Sequence, residues 1–95
     1  MVEGAASFVA ECYWPDVEEA DLEALDRRVR AVTAHRPGGV QVRYLGSILL
    51  REDEVVLCQF EGTAAAVREI AEQSELPFAR ILEATRSPRP PAEAT

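Results

Sequence analysis

The stretch 40–60 reads Val40-Gln-Val-Arg-Tyr-Leu-Gly-Ser-Ile-Leu-Leu50, then Arg51-Glu-Asp53, then Glu54-Val-Val-Leu-Cys-Gln-Phe60. Two runs rich in β-branched and aromatic residues flank a short charged tip. That pattern predicts a hairpin. Side chains alternate between the two faces of a strand. In the first run Val40, Val42, Tyr44, Gly46 and Ile48 share one face, and Gln41, Arg43, Leu45, Ser47 and Leu49 the other. In the second, Val56, Cys58 and Phe60 oppose Val55, Leu57 and Gln59. Both faces carry apolar residues, so both are expected to be covered.

On the N-terminal side, residues 1–6 are small and polar and are expected to fray. A first strand is predicted over 7–14. Phe8, Ala10 and Cys12 lie on one side of it, and Val9, Glu11 and Tyr13 on the other. Trp14-Pro15 ends the strand, because proline cannot donate to a ladder. Asp16, with Glu19 three residues on, predicts a helix start of the capping-box type. Leu22, Leu25, Val29 and Val32 then follow the 3-4-3 spacing of one buried helical stripe. Acids fill the first turns and Arg27, Arg28, Arg30 and Arg36 the second half, an order that suits the helix dipole. Pro37-Gly38-Gly39 stops this helix near His35.

On the C-terminal side, Thr63 is a predicted N-cap, and Ala66, Val67, Ile70 and Ala71 make the buried stripe of a second helix. A last short strand is predicted over 81–85, with Glu83 facing away from Leu82 and Ala84. The domain is drawn over 1–86, and residues 87–95, rich in proline, read as a disordered tail.

The element order is therefore β-α-β-β-α-β, the split βαβ pattern of an α+β fold. Right-handed crossovers give an antiparallel sheet of order 4-1-3-2 with both helices on one face. The helices are expected on the side holding Phe8, Ala10, Cys12, Val42, Ile48, Val56, Cys58 and Phe60. The other face mixes large apolar groups with Glu11, Tyr13, Arg43, Ser47, Gln59 and Glu83. Left bare, it is a larger apolar patch than a small monomer ordinarily exposes. A homodimer packed sheet on sheet covers it.

Composition narrows the function. At 95 residues the chain is one domain. It buries only roughly 60–65% of its unfolded surface, so a partner's cover would help it. Its net charge of −7 makes nucleic acid and anionic membrane poor partners. Cys12 and Cys58 are the two cysteines, too far apart in sequence for a Cys-x-x-Cys motif. With no secretory pattern at the start and no run of about 18 apolar residues, the chain reads as cytoplasmic with reduced thiols.

The candidate ligand-binding residues are Glu11, Tyr13, Arg43, Ser47, Gln59 and Glu83. Glu11 and Glu83 are expected on neighbouring strands. Two carboxylates on a half-covered face can act as an acid/base pair or hold a cation, or else be neutralised by Arg43. Tyr13, Ser47 and Gln59 can orient a ligand or join an interface. His35, the one histidine, falls in the last turn of the first helix, where a cation suits the dipole. No phosphate loop, nucleophile elbow, dinucleotide fingerprint or His-Glu-x-x-His is present.

Over about 8–84 the chain resembles a family of small bacterial ferredoxin-like proteins of unknown function, one of whose actinobacterial members is described as nickel-binding. The resemblance is carried by Phe8-Val-Ala-Glu11, Leu45-Gly-Ser47, the run from Asp53 to Cys58-Gln-Phe60, Ala66-Val-Arg-Glu69 and Leu76-Pro77-Phe-Ala-Arg-Ile81. It implies a dimeric α/β barrel and, as possible cofactor, nickel or another divalent metal. Many relatives carry a histidine after the Arg-Glu pair of the second helix, where this chain has Ile70. Their usual glycine before Leu-Pro is Glu75 here. The residues left for a metal are Glu11, Cys12, His35 and Cys58, and strand parity sends Glu11 and Cys12 to opposite faces.

Three functions are compatible with these residues. The leading one is a homodimeric binding protein for a metal ion or a small hydrophobic ligand in the open sheet face. The second is a cofactor-independent enzyme of monooxygenase, isomerase or cyclase type, with Glu11, Tyr13, Arg43 and Glu83 moving protons and orienting substrate. The third is a plain protein-interaction module.

Overall fold

The computed structural model describes residues 6–36 and 42–85. Of residues 1–6, expected to fray, 1–5 lie outside the described residues, whereas Ala6 opens β1 by pairing with Gly62. The Pro37-Gly38-Gly39 stop, the strand start at Val40 and Gln41, and the Pro-rich tail at 87–95 also lie outside the described residues. Six elements follow in the order read from the sequence: β1 (Ala6–Tyr13), α1 (Glu19–Ala34), β2 (Arg43–Leu50), β3 (Val55–Gly62), α2 (Ala64–Gln73) and β4 (Phe78–Ala84). The strands form one antiparallel sheet in the order β2-β3-β1-β4, which is 4-1-3-2 read from the other edge. This is the ferredoxin-like α+β arrangement.

The helices form where the apolar stripes are. Leu25 and Val29 of α1 are fully buried, as are Val67, Ile70 and Ala71 of α2. Thr63 caps α2 by accepting the Ala66 N–H at 3.2 Å. The cap of α1 sits two residues later than expected, at Glu18, whose N–H donates to the Asp21 carboxylate at 2.9 Å. Asp16 is instead in the turn after Pro15 with φ +63, so it cannot open the helix. At the other end of α2, Leu76 N–H reaches Ala71 C=O and Glu75 N–H reaches Glu72 C=O, both at 3.0 Å. These are the two bonds of a Schellman ending, with Glu75 in the left-handed position at φ +59.

The core lies between helices and sheet. Phe8, Ala10, Cys12, Val56, Cys58 and Phe60 point into it, with Val42 packed at its margin. Tyr44 joins them, its ring 5.1 Å from that of Phe60.

Ile48 does not join the core. Tyr44 stands opposite Phe60 and Gly46 opposite Gln59, so Leu45 is an extra residue in β2. A bulge of this kind reverses strand parity from that point on. Ser47 and Leu49 then turn to the helix side, opposite Cys58 and Val56. Ile48 and Leu50 turn outward and are 43% and 40% exposed.

The other outer strand has a similar irregularity. Arg80 pairs with Glu11 and Phe78 with Cys12, leaving Ala79 as the extra residue of β4. The strand begins at Phe78, three residues before the predicted start. Ile81 pairs with Ala10 and packs on the core, so Leu82 and Ala84 face outward and Glu83, opposite Phe8, lies on the helix side. The expected placement of Glu83 is inverted. Ile81 and Leu82 are both apolar, and the sequence alone does not choose which of them points in.

Candidate functional site

The face of the sheet away from the helices is open, and the strand register lays it out in rows. Arg43, Glu61, Ser7 and Ala84 cross one end. Gly46, Gln59, Val9 and Leu82 form the next row, then Ile48, Leu57, Glu11 and Arg80. Leu50, Val55 and Tyr13 close the far end. An apolar band thus crosses the face between two charged corners.

Each corner is internally neutralised. At one, Arg43 Nη1 lies 3.2 Å from Glu61 Oε1. At the other, Arg80 Nε lies 2.5 Å from Glu11 Oε1, and this contact holds the guanidinium above its ordinary pKa. Tyr13, 60% exposed, donates its hydroxyl to Glu54 Oε1 at 3.2 Å, and that bond raises its phenol pKa. The predicted acid pair does not form, because Glu83 is on the helix side and Arg80 stands where it was expected. Of the six candidate ligand residues, Glu11, Tyr13, Arg43 and Gln59 are on the open face and Ser47 and Glu83 are not. Three of the four are engaged with a neighbour of complementary chemistry.

Gln59 lines a hollow of about 150 Å³ together with Ser7, Val9, Leu45, Ala84 and Thr85. The β2 bulge shapes it. Leu45 stands at its rim, and Gly46 puts no side chain opposite Gln59. A Cβ on Gly46 would meet nothing within 4 Å. No charged side chain lines the hollow among the described residues.

The residues left for a metal do not fit one. Cys12 and Cys58 are fully buried in the core, on the opposite side of β1 and β3 from Glu11. Glu11 is held by Arg80, and His35 Nδ1 is 2.8 Å from the Ala31 carbonyl oxygen at the end of α1. Among the described residues no three of the His, Cys, Asp and Glu side chains come together as a metal site. A soft or borderline ion needs several such donors at once.

The sequence reading missed a polar cluster on the helix side. Asp26 Oδ1 on α1 accepts the Tyr44 hydroxyl at 2.5 Å and the Ser47 hydroxyl at 3.2 Å. Arg30, one turn further along α1, places its guanidinium carbon 5.1 Å from the Tyr44 ring centre. Burial, then the bond to Asp26, push the Tyr44 phenol well above its ordinary value of 10. Nearby, the Cys12 thiol and burial push the Cys58 thiol above the usual thiol range. The cluster ties α1 to the bulged part of β2. Its signal was Asp26 itself, an acid four residues after Leu22 and three before Val29, on the inward stripe of α1.

No protein-family model matches this chain, and no curated protein matches it. Among solved structures it is similar to SCO4226 from Streptomyces coelicolor A3(2), with a TM-score of 0.73 and 19% sequence identity over 87% of this chain and all of that one. At that identity the likeness shows a shared fold.

Proposed function

We propose that this protein is a small homodimeric binding protein. Two copies turn their open sheet faces toward each other and hold a small hydrophobic ligand between them. One observation carries the reading. The four large hydrophobic residues most exposed among the described residues, Tyr13, Ile48, Leu50 and Leu82, all lie on the open face. With Val9, Val55 and Leu57 between them they make a contiguous apolar surface, the kind that marks an interaction site. A second copy offers the same band, as a two-fold interface requires.

The resemblance over 8–84 to small bacterial ferredoxin-like proteins supports the same dimer. The donor set described above favours an organic ligand over nickel. The cysteines are free and buried, which suits a reducing cytoplasm. No helix among the described residues is long and apolar enough to cross a membrane.

Native mass spectrometry of untagged protein tests this reading, since it reports the oligomer and any retained molecule together. The expected species is a dimer, and Ile48→Glu, which sets a charge in the apolar band, converts it to a folded monomer. A wild-type protein that stays monomeric at high concentration defeats the proposal.

A further inference from the structure

We propose that the hollow beside Gly46 binds the uncharged end of a ligand, a group about the size of one six-membered ring carrying a carbonyl, amide or hydroxyl that Gln59 recognises. This rests on the open-face binding reading and specifies which ligand the face takes and where.

Size is the first constraint. A hollow of about 150 Å³ matches the volume of apolar cavities that accept benzene. The hollow is partly open, and its Val9 and Gln59 stand in the row next to Leu57 and Ile48, so the rest of a longer ligand can continue along the apolar band.

Polarity is the second. Val9, Leu45 and Ala84 supply apolar walls, while Ser7, Thr85 and Gln59 supply hydroxyls and a carboxamide. The carboxamide both donates and accepts, so it suits a neutral polar group. A carboxylate or ammonium placed there would lose water and gain no counter-charge. The charged groups nearest along the face are already matched, Arg43 with Glu61 and Arg80 with Glu11.

Beside the hollow, Gly46 pairs with Gln59 and has φ +118, a conformation L side chains rarely adopt, so this position of the rim favours having no side chain.

The test uses three probes that share one ring and differ in charge: benzamide, benzoate and benzylammonium. Each is titrated into the full-length protein labelled for NMR. Benzamide is expected to shift the Val9 and Leu45 methyls and the Gln59 side-chain amide, and to bind at least about tenfold tighter than either ion. Ala84→Phe, which fills the hollow from the sheet edge, should abolish these shifts while the rest of the spectrum stays native. Gln59→Leu should keep the ring contact and weaken benzamide selectively. Equal binding of benzoate or benzylammonium overturns the assignment of a neutral ligand. Shifts confined to Ile48, Leu50 and Leu57, or no shifts in a protein that is a dimer, overturn the hollow and leave the open-face reading standing. No shifts in a monomer overturn both.

Discussion

Ser47 Oγ lies 3.2 Å from Asp26 Oδ1, on the helix side of β2. Uninterrupted alternation from Tyr44 would have put Ser47 on the opposite face. The extra residue Leu45 turns it inward, and the same carboxylate oxygen then also accepts the Tyr44 hydroxyl. One acid on α1 thereby fixes both sides of the bulge.

Removing members of this cluster should cost stability in a definite order. Tyr44→Phe loses a hydrogen bond to a carboxylate and is expected to cost about 1–2 kcal/mol. Asp26→Ala should cost more, about 2–3 kcal/mol, because it leaves the buried phenol without its acceptor. Ser47→Ala, the longer bond, should cost least. Urea unfolding of the three variants decides the order, and an Asp26→Ala protein as stable as wild type would show that the cluster contributes nothing.

Alkaline pH should weaken the fold. Folding raises the Tyr44 pKa above its unfolded value near 10, so the native state favours the protonated phenol. That contribution is complete below pH 10 and is lost as pH rises further. Urea midpoints measured across this range should fall for wild type and fall less steeply for Tyr44→Phe. Parallel curves for the two proteins would contradict this account.

Two residues with left-handed backbone should respond oppositely to exchange. Glu75 occupies the helix-ending position that glycine favours, so Glu75→Gly is expected to stabilise by up to about 1 kcal/mol. Gly46→Ala has room for its Cβ but not the right φ, and should destabilise by about 1–2 kcal/mol. Thermal melts of both variants are sufficient. A Gly46→Ala protein that melts at the wild-type temperature would mean that β2 readily relaxes its bulge.

The thiols should be silent in the native protein. Cys12 and Cys58 are free and fully buried, so neither sulfur is accessible to a reagent. Ellman's reagent is expected to find no thiol under native conditions and both after unfolding in urea. Rapid stoichiometric labelling of the folded protein would place at least one of them nearer the surface.

Much of the fold was legible because it rests on local patterns that nothing interrupts. The stripe Leu25–Val29, the stripe Ala66–Val67–Ile70–Ala71 and the Thr63 cap are each set by residues within two helical turns. Strand faces are different, since parity accumulates along the chain and one inserted residue inverts everything after it. That is why Ile48 and Ser47 exchanged sides while Val42 and Tyr44 did not. Gly46 inside a strand pattern was the available sign of a bulge. Glu83 failed for another reason: with Ile81 and Leu82 equally apolar, only the packing of β4 on Ala10 settles which points inward. The hollow was illegible for a related cause, being lined by residues from all four strands, the bulge residue Leu45 among them.

The two irregular residues, Leu45 and Ala79, sit one on each outer strand. A straight outer strand presents a row of unpaired amides and carbonyls that templates addition of further chains. Here both rims are kinked, so neither continues cleanly into a neighbour's ladder. In the proposed dimer the contact is instead made through the broad side of the sheet, and a two-fold contact there would close on itself rather than propagate into a filament. If that dimer forms, the bulge that brings Leu45 to the hollow also helps to limit how many copies can assemble.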